Sequence, residues 1–400
     1  MPPRRKRRRI AVVTGTRAEY GLLRTTLRAL GDAPEIDLRI LAAGMHLLRD
    51  CGLTVREISA DGWPIACRVP MQRGDGSPAD QGLGLGRGIQ KIARYLVDDD
   101  IDIVVVLGDR IEAMAGALAA TTTGRMLAHI HGGDVAEGDF DDALRHSITK
   151  LAHLHFVASA DARNRVIRLG ESPRRVWQVG APGLDDIAVM LAQRGAARQA
   201  APAGQPSGPR AARCAEGPGP PYAVVIQHPC GRAESVEYAA ARATLAAAAA
   251  AGLRRCIILP NSDRGRAGVM RAIHDHEHRS SPDDVEIVAS FSRDAFLTRL
   301  LGARLLLGNS SCGIIEAPFA GVPSVDVGPR QAGRQPGGAT VFRAPERESA
   351  IQAMIRRALT ASPRPGQRTI YGRGGAGRRI AAILRRAAVA LPSIKKRIEY

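Results

Sequence analysis

Imidazoles, carboxylates and arginines gather directly after short apolar runs in this chain of 400 residues. The densest group is His129-Ile130-His131-Gly132-Gly133-Asp134, followed by Asp139, Asp141, Asp142, Arg145 and His146. Such side chains take up and return protons near neutral pH, which is what general acid–base chemistry on a small substrate needs. Two imidazoles without a third ligand make a poor metal case, so no metal is expected here. Paired glycines before an acidic turn suit a backbone that approaches something closely, and the segment reads as a catalytic loop. Asp141 and Arg145 are four residues apart, where an ion pair on one helix face explains both. Gly108-Asp109-Arg110 leaves two readings open: a solvated helix cap, or a general base beside a cation.

A second group suits anions. Thr14-Gly15-Thr16-Arg17-Ala18-Glu19-Tyr20 follows an apolar run; Gly15 allows a tight turn, and Arg17 is either a surface residue or a bidentate phosphate partner. Gly308-Asn309-Ser310-Ser311-Cys312-Gly313-Ile314-Ile315-Glu316 also follows a strand-like run. Hydroxyls and amides at a helix start suit a diphosphate, and Glu316, a turn further on, suits a ribose diol. Arg330 and Arg334 add positive charge. The glycine-rich run Gly82–Gly88 lacks the preceding strand that a dinucleotide loop requires, so a mobile lid is expected instead. The H-D-H-E-H run at His274, His276 and His278 reads as a solvated charged segment rather than a metal site.

Alternating elements must position these residues. Apolar runs at Ile10–Thr14, Ile36–Ala42, Ile101–Leu107, Leu127–Ile130 and Leu154–Ala158 read as buried strands. Arg17–Leu30, Ala113–Ala120 and Phe140–Leu151 read as the helices between them. The alternation restarts at Tyr222–Gln227 and continues through Tyr238–Gly252, Arg255–Leu259, Val285–Ala289, Ser292–Leu301, Ala303–Leu307 and Gly313–Ala320. Strand–helix alternation implies parallel sheets covered on both faces. The expected architecture is therefore α/β, with two Rossmann-like domains around a central cleft. Its parts are a basic disordered tail (1–9), an N-terminal domain (10–185) joined by a returning C-terminal helix (376–400), a flexible Ala/Pro/Gly-rich insertion after a helix beginning near Leu184 (193–221), and a C-terminal nucleotide-binding domain (222–375).

With 45% hydrophobic residues, both cores can be filled and global disorder is excluded. The basic start has no apolar stretch behind it, so no ordinary secretory signal is expected, and no run is long enough to span a membrane. A cytoplasmic protein without membrane attachment is the expectation. Six scattered cysteines without a C-x-x-C pair suit ordinary thiols. The net charge of +18 suggests polyanions, yet six basic residues fall in the tail, leaving +12 for the rest. Only five of the 57 basic residues are lysine, the rest are spread along the chain, and aromatics make up 4%. With few platforms for stacking bases, no specific nucleic-acid partner is expected, and a smaller anion such as a nucleoside diphosphate fits as well.

Taken together, several ordered motifs resemble the hydrolysing UDP-N-acetylglucosamine 2-epimerases of the sialic acid pathway. They are T-G-T-R-A-E-Y-G (14–21), G-M-H-L (44–47), G-D-R-I-E-A (108–113), D-A-L-R-H-S-I-T-K-L-A-H-L-H (142–155), H-P (228–229), P-N-S-D (260–263), N-S-S-C-G-I-I-E-A-P (309–318) and G-P-R-Q-A-G-R (328–334). The resemblance implies the glycosyltransferase-B fold, a UDP-sugar substrate, no cofactor and a homodimer. It implies UDP binding by Arg17, Ser310, Ser311, Glu316 and Arg334, with Arg330 adding charge and Arg110 and Asn261 within the matching motifs. It places Asp109, the His131–Asp134 loop, Asp141 and His228 around the sugar, with His46 and Arg145 nearby. The implied reaction removes the C2 proton, expels UDP to leave a glycal, then adds water at C1 and a proton on the opposite face of C2. His131 stands where the sialic acid enzymes carry Glu, and H-I-H-G-G (129–133) resembles the branch acting on UDP-2,4-diacetamido-trideoxyhexose for legionaminic acid. A glycosyltransferase of the same fold is the alternative; the acidic loop at His131–Asp134 argues against it.

Overall fold

The computed structural model describes residues 7–73, 77–136, 141–199, 220–261, 263–387 and 396. The chain divides into two units, one comprising Met1–Val135, Phe140–Asp185 and Gly374–Tyr400, the other Ala136–Asp139 and Asp186–Arg373.

The first unit is built on strands β1 (Arg8–Thr14), β2 (Ile36–Ala43), β3 (Ile65–Val69), β4 (Ile103–Leu107), β5 (Met126–Ile130), β6 (Leu154–Val157) and β7 (Val176–Gln178). They form one parallel sheet in the order β3-β2-β1-β4-β5-β6-β7. Ile10 and Val12 enter one core layer, Ala11 and Val13 the other. Both faces of β1 are dry, which is why its sequence is continuously apolar rather than alternating. Helices α1 (Arg17–Gly31), α2 (Val55–Ala60), α3 (Pro78–Asp98), α4 (Ile111–Thr122), α5 (Asp141–Leu151) and α6 (Ala160–Arg168) lie between the strands, and α7 (Gly183–Gln199) leads out of the unit.

The second unit carries β8 (Tyr222–Ile226), β9 (Arg254–Ile258), β10 (Val285–Val288), β11 (Leu305–Gly308), β12 (Ser324–Val327) and β13 (Val341–Ala344). These too are parallel, ordered β10-β9-β8-β11-β12-β13. Its helices are α8 (Glu234–Ala250), α9 (Arg266–His278), α10 (Arg293–Gly302), α11 (Ser311–Ala320) and α12 (Glu348–Thr360). Winding reverses beside the first strand of each sheet, between β1 and β4 and between β8 and β11. Ligands of such sheets bind beyond the carboxyl ends of the strands at that reversal. The α/β class with two Rossmann-like sheets is as the sequence predicts.

Helix α13 (Ala376–Arg386) returns to the first unit, where Ile380, Ala381 and Leu384 join Leu23, Leu27 and Leu30 of α1 in one core layer. Gly377 permits the approach, since a Cβ there would lie 2.7 Å from the Thr26 nitrogen. Asp185 caps α13 from a distance, accepting from the amides of Ala376 (2.9 Å) and Gly377 (2.8 Å).

Three expectations are corrected. The tail does not reach residue 9: Arg8 and Arg9 pair with Ile36 and Asp37 in β1, and the Arg9 amide donates to Asp102 at 2.9 Å. Asp102 and Asp37 hold Arg9, and the Leu384 and Arg385 carbonyls accept from Arg8, which keeps a basic pair inside a sheet; residues 1–6 lie outside the described residues. The Gly82–Gly88 run is helical, in α3, started by Ser77, which accepts from the Asp80 amide at 3.1 Å. Two of its glycines serve packing, because a Cβ on Gly84 would lie 3.2 Å from the Met71 carbonyl carbon and one on Gly88 2.7 Å from the Met71 methyl and 3.0 Å from the Ala115 Cβ. Residues 193–199 of the expected insertion continue α7, since alanine and arginine favour helix there; residues 200–219 lie outside the described residues. The H-D-H-E-H run, by contrast, is solvated as expected: it ends α9 with His274 and Glu277 mostly exposed, and the His274 and His278 rings lie 4.3 Å apart between centroids. Strands β3, β7, β12 and β13 and helices α6 and α12 are too short or too polar for the periodicity argument to find. Among the described residues no helix is long and apolar enough to cross a membrane.

Candidate active site

In the first unit the chemistry-bearing residues follow the ends of β1, β2, β4 and β5. Gly108 leaves β4 with φ of +79°. The His129 ring links the end of β4 to α5, with Nε2 2.8 Å from the Gly108 carbonyl and Nδ1 3.1 Å from the Thr149 hydroxyl. Burial pulls its pKa to about 3, so this imidazole is neutral and structural. Asp109 and Arg145 form an ion pair, and the same guanidinium lies 3.6 Å from Asp142 and donates to the His131 carbonyl at 3.3 Å. Arg145 is almost fully buried and therefore holds the ends of β4 and β5 and the start of α5 in register. Asp141, half-buried, opens α5; Asp139 lies outside the described residues.

Strand β5 ends at Ile130, and His131 turns away with φ of +65°, so it does not share a strand with His129. Its Nδ1 lies 2.9 Å from Asp134 Oδ2, and both residues are buried. Gly133 also has positive φ, and a Cβ there would lie 2.7 Å from the Val166 side chain. A carboxylate on one ring nitrogen fixes the tautomer and leaves the other nitrogen, Nε2, for chemistry.

Beneath these turns the polar side chains close on one another. Thr16 caps α1 by accepting from the Glu19 amide at 3.2 Å, and the Arg17 Nε donates to Glu57 at 2.6 Å. His46 is fully buried between the Thr14 (3.1 Å) and Thr54 (2.7 Å) hydroxyls, and burial lowers its pKa to about 4. The Arg110 Nε lies 3.5 Å from Glu112 Oε2.

In the second unit the residues follow β8, β9, β11 and β12. Gly308 ends β11 with φ of +126°, and a Cβ there would collide with the Ile226 carbonyl, 2.6 Å from its carbon. Asn309, fully buried, fastens β8 to β11: its Oδ1 accepts from the His228 amide (2.7 Å), and its Nδ2 donates to the His228 carbonyl (2.8 Å). His228 Nδ1 in turn accepts from the Asn261 amide at 3.2 Å, so a neutral ring carries its proton on Nε2. Ser310 stands at the N-cap of α11 and Ser311 is its first residue. Cys312 donates to Ser310 at 3.2 Å, and burial pushes its thiol up to about 12.

Glu316, one turn into α11, pairs at 2.6 Å with Arg293, which also faces Asp186 at 3.7 Å. Arg330 lies 3.8 Å from Asp263, whose carboxylate accepts from Asn261 at 2.5 Å. Arg334 is buried. Burial raises Asp326 to about 6 against the pull of Arg343, Arg334 and Arg330.

Thus Arg17, His46, Asp109, Arg110, His131, Asp134, Asp141 and Arg145 lie in one unit, and His228, Asn261, Ser310, Ser311, Glu316, Arg330 and Arg334 in the other. Sequence reasoning missed Asn309, Arg293 and Glu112 as functional groups. An asparagine directly after a strand was a signal for the first. Arg293 had none, because its partners Asp186 and Glu316 are remote in sequence.

The profile of the UDP-N-acetylglucosamine 2-epimerase family matches residues 28–385. The chain belongs to that family. A hydrolysing UDP-N,N'-diacetylbacillosamine 2-epimerase of Legionella pneumophila is 34% identical over 326 residues, which are 81% of this chain and 82% of the relative. A UDP-N-acetylglucosamine 2-epimerase of Neisseria meningitidis is 32% identical over 333 residues, 82% of each chain. In fold, the chain is similar to the crystal structure of a Neisseria meningitidis UDP-GlcNAc 2-epimerase bound to UDP-GlcNAc. The TM-score is 0.75 at 16% identity, covering 95% of this chain and 100% of that one. The architecture is thus that of the 2-epimerase family, glycosyltransferase-B-like, with two parallel α/β sheets.

Proposed function

We propose that this family member is a hydrolysing 2-epimerase that converts UDP-N-acetylglucosamine and water to N-acetylmannosamine and UDP. The observation that carries the reading is the His131–Asp134 dyad at the end of β5, beside the Asp109–Arg145 pair at the end of β4. Asp134 orients His131, whose Nε2 takes the proton from C2. The electron pair forms the C1=C2 bond as the C1–O bond breaks, and UDP departs with that bonding pair. Water then adds to C1 of the glycal while C2 receives a proton on the opposite face, with Asp109 and Asp141 as the carboxylates for these transfers. The N-terminal amides of α11, Arg330, Arg334 and the Nε2–H of His228 stabilise the departing diphosphate. One preorganised donor of this kind is worth about 3 kcal/mol. Glu316, held by Arg293, accepts from the ribose hydroxyls.

A second reading keeps the reaction and changes the sugar to UDP-N,N'-diacetylbacillosamine. It is favoured by His131 in H-I-H-G-G and by the 34% identity to the hydrolysing Legionella pneumophila enzyme. Incubating the protein with each UDP-sugar separately and separating the products by chromatography decides between them. UDP and a free 2-epimeric sugar in equal amounts are expected from the true substrate. A UDP-linked epimer, with no free sugar from either compound, would contradict a hydrolysing enzyme.

A further inference from the structure

Two carboxyl groups that the proposed mechanism leaves idle, Glu19 and Glu112, meet at Gly15. Glu19 lies on α1, is 6% exposed, and its Oε2 accepts from the Gly15 amide at 2.8 Å. Glu112, in the first turn of α4, is fully buried, and a Cβ on Gly15 would lie 2.5 Å from its Cγ. The glycine of the Thr14–Arg17 turn is therefore clasped between two acids. Gln72 donates to Glu112 Oε1 at 3.0 Å. With these donors spent, Glu19 Oε1 and Gln72 Oε1 are buried acceptor oxygens with no hydrogen-bond partner among the described residues, and Glu112 Oε2 faces the Arg110 Nε at 3.5 Å without a hydrogen bond. Buried acceptors without donors are costly, and a carboxyl proton is the donor this arrangement can itself provide.

We propose that Glu19 keeps its carboxyl proton beside Glu112 and acts as a positioning residue, holding the Thr14–Arg17 turn against the Gly108–Glu112 turn. The inference rests on the function proposed above, since those turns carry Arg17, Asp109 and Arg110. The charged groups acting on Glu19 are Glu112 and Arg110 from the start of α4; Glu112 also acts on His46 of the short turn Gly44–Leu47, as does Arg17. Burial first, and Glu112 next among the groups that act in the same direction, push the Glu19 carboxyl up to about 8; the Gly15 amide and Arg110 oppose them. As pH rises through that value a second negative charge enters a dry site and loosens both turns. The sign for stability is the same: a carboxyl raised in the folded state costs nothing below its unfolded pKa, and costs progressively more as pH rises from about 4.5 to about 8.

The test compares the wild type with Glu19→Gln and Glu19→Ala. In protein labelled with 13C at glutamate side-chain carboxyls, one resonance should titrate near pH 8 and be missing from E19Q. The wild-type kcat/KM for UDP release should fall tenfold per pH unit above about 8, whereas the E19Q profile, scaled to its own maximum, should stay level. E19A, which gives the Gly15 amide no acceptor, should lose at least tenfold at every pH. The inference is overturned if no glutamate titrates above pH 7, or if E19Q keeps the wild-type alkaline midpoint. If neither UDP-sugar is turned over, the proposed function fails while Glu19 is still decided. The titration and the wild-type melting temperature, expected to fall from pH 5 to 8 more steeply than that of E19Q, then carry the test.

Discussion

At the scale of the residue, the proposed site pairs each candidate group with a second group that holds it. Asp134 fixes His131, Arg145 fixes Asp109, Arg293 fixes Glu316, and Asn309 fixes His228. Asp134→Asn leaves the shape but gives the His131 Nδ1 an amide in place of a carboxylate, which removes the charge that supports a protonated ring. We expect kcat/KM to fall by about 10²–10⁴ with little change in KM, since the loss is confined to proton transfer. A variant that loses only KM would place Asp134 in binding instead. The contiguous members of this set were legible in the sequence, because His131 and Asp134 stand three apart and Asp109 follows an obvious buried strand. The holding groups were not. Arg145 reaches Asp109, 36 positions earlier in the chain, although spacing alone points to a partner on its own helix.

At the scale of the element, glycines decide how closely strands and helices approach. Gly308 combines φ of +126° with a Cβ position blocked by the Ile226 backbone, just where β11 leaves β8. Gly308→Ala should cost about 3 kcal/mol or more and lower the melting temperature by roughly 6 °C or more. Gly82, in the exposed part of α3 with open space around its Cβ position, provides the contrast, and Gly82→Ala should raise the melting temperature slightly. Equal melting temperatures for the two variants would contradict this account of the glycines. The long buried strands and the amphipathic α1 were readable because burial on both faces, or along one stripe, writes a strong pattern. The Gly82–Gly88 helix was not readable. Gly84 and Gly88 answer to Met71 and Ala115, which only the folded chain brings near.

At the scale of the whole molecule, each unit is a parallel sheet whose winding reverses beside its first strand, and each gathers its polar residues at that reversal. Acids and imidazoles collect in the first unit; a capped helix start and arginines collect in the second. That division suits a reaction in which a proton leaves carbon while a diphosphate departs. Several of the arginines behind the net charge of +18 are spent on internal carboxylates, as with Arg232 on Glu237 and Glu346. The account stands most directly on proton exchange at C2. Turnover of the preferred UDP-sugar in D2O, followed by proton NMR, should yield a free 2-epimeric sugar carrying deuterium at C2 in every product molecule. A free sugar that retains the original C2 hydrogen and configuration would contradict elimination and hydration, and would leave simple hydrolysis of the sugar–UDP bond.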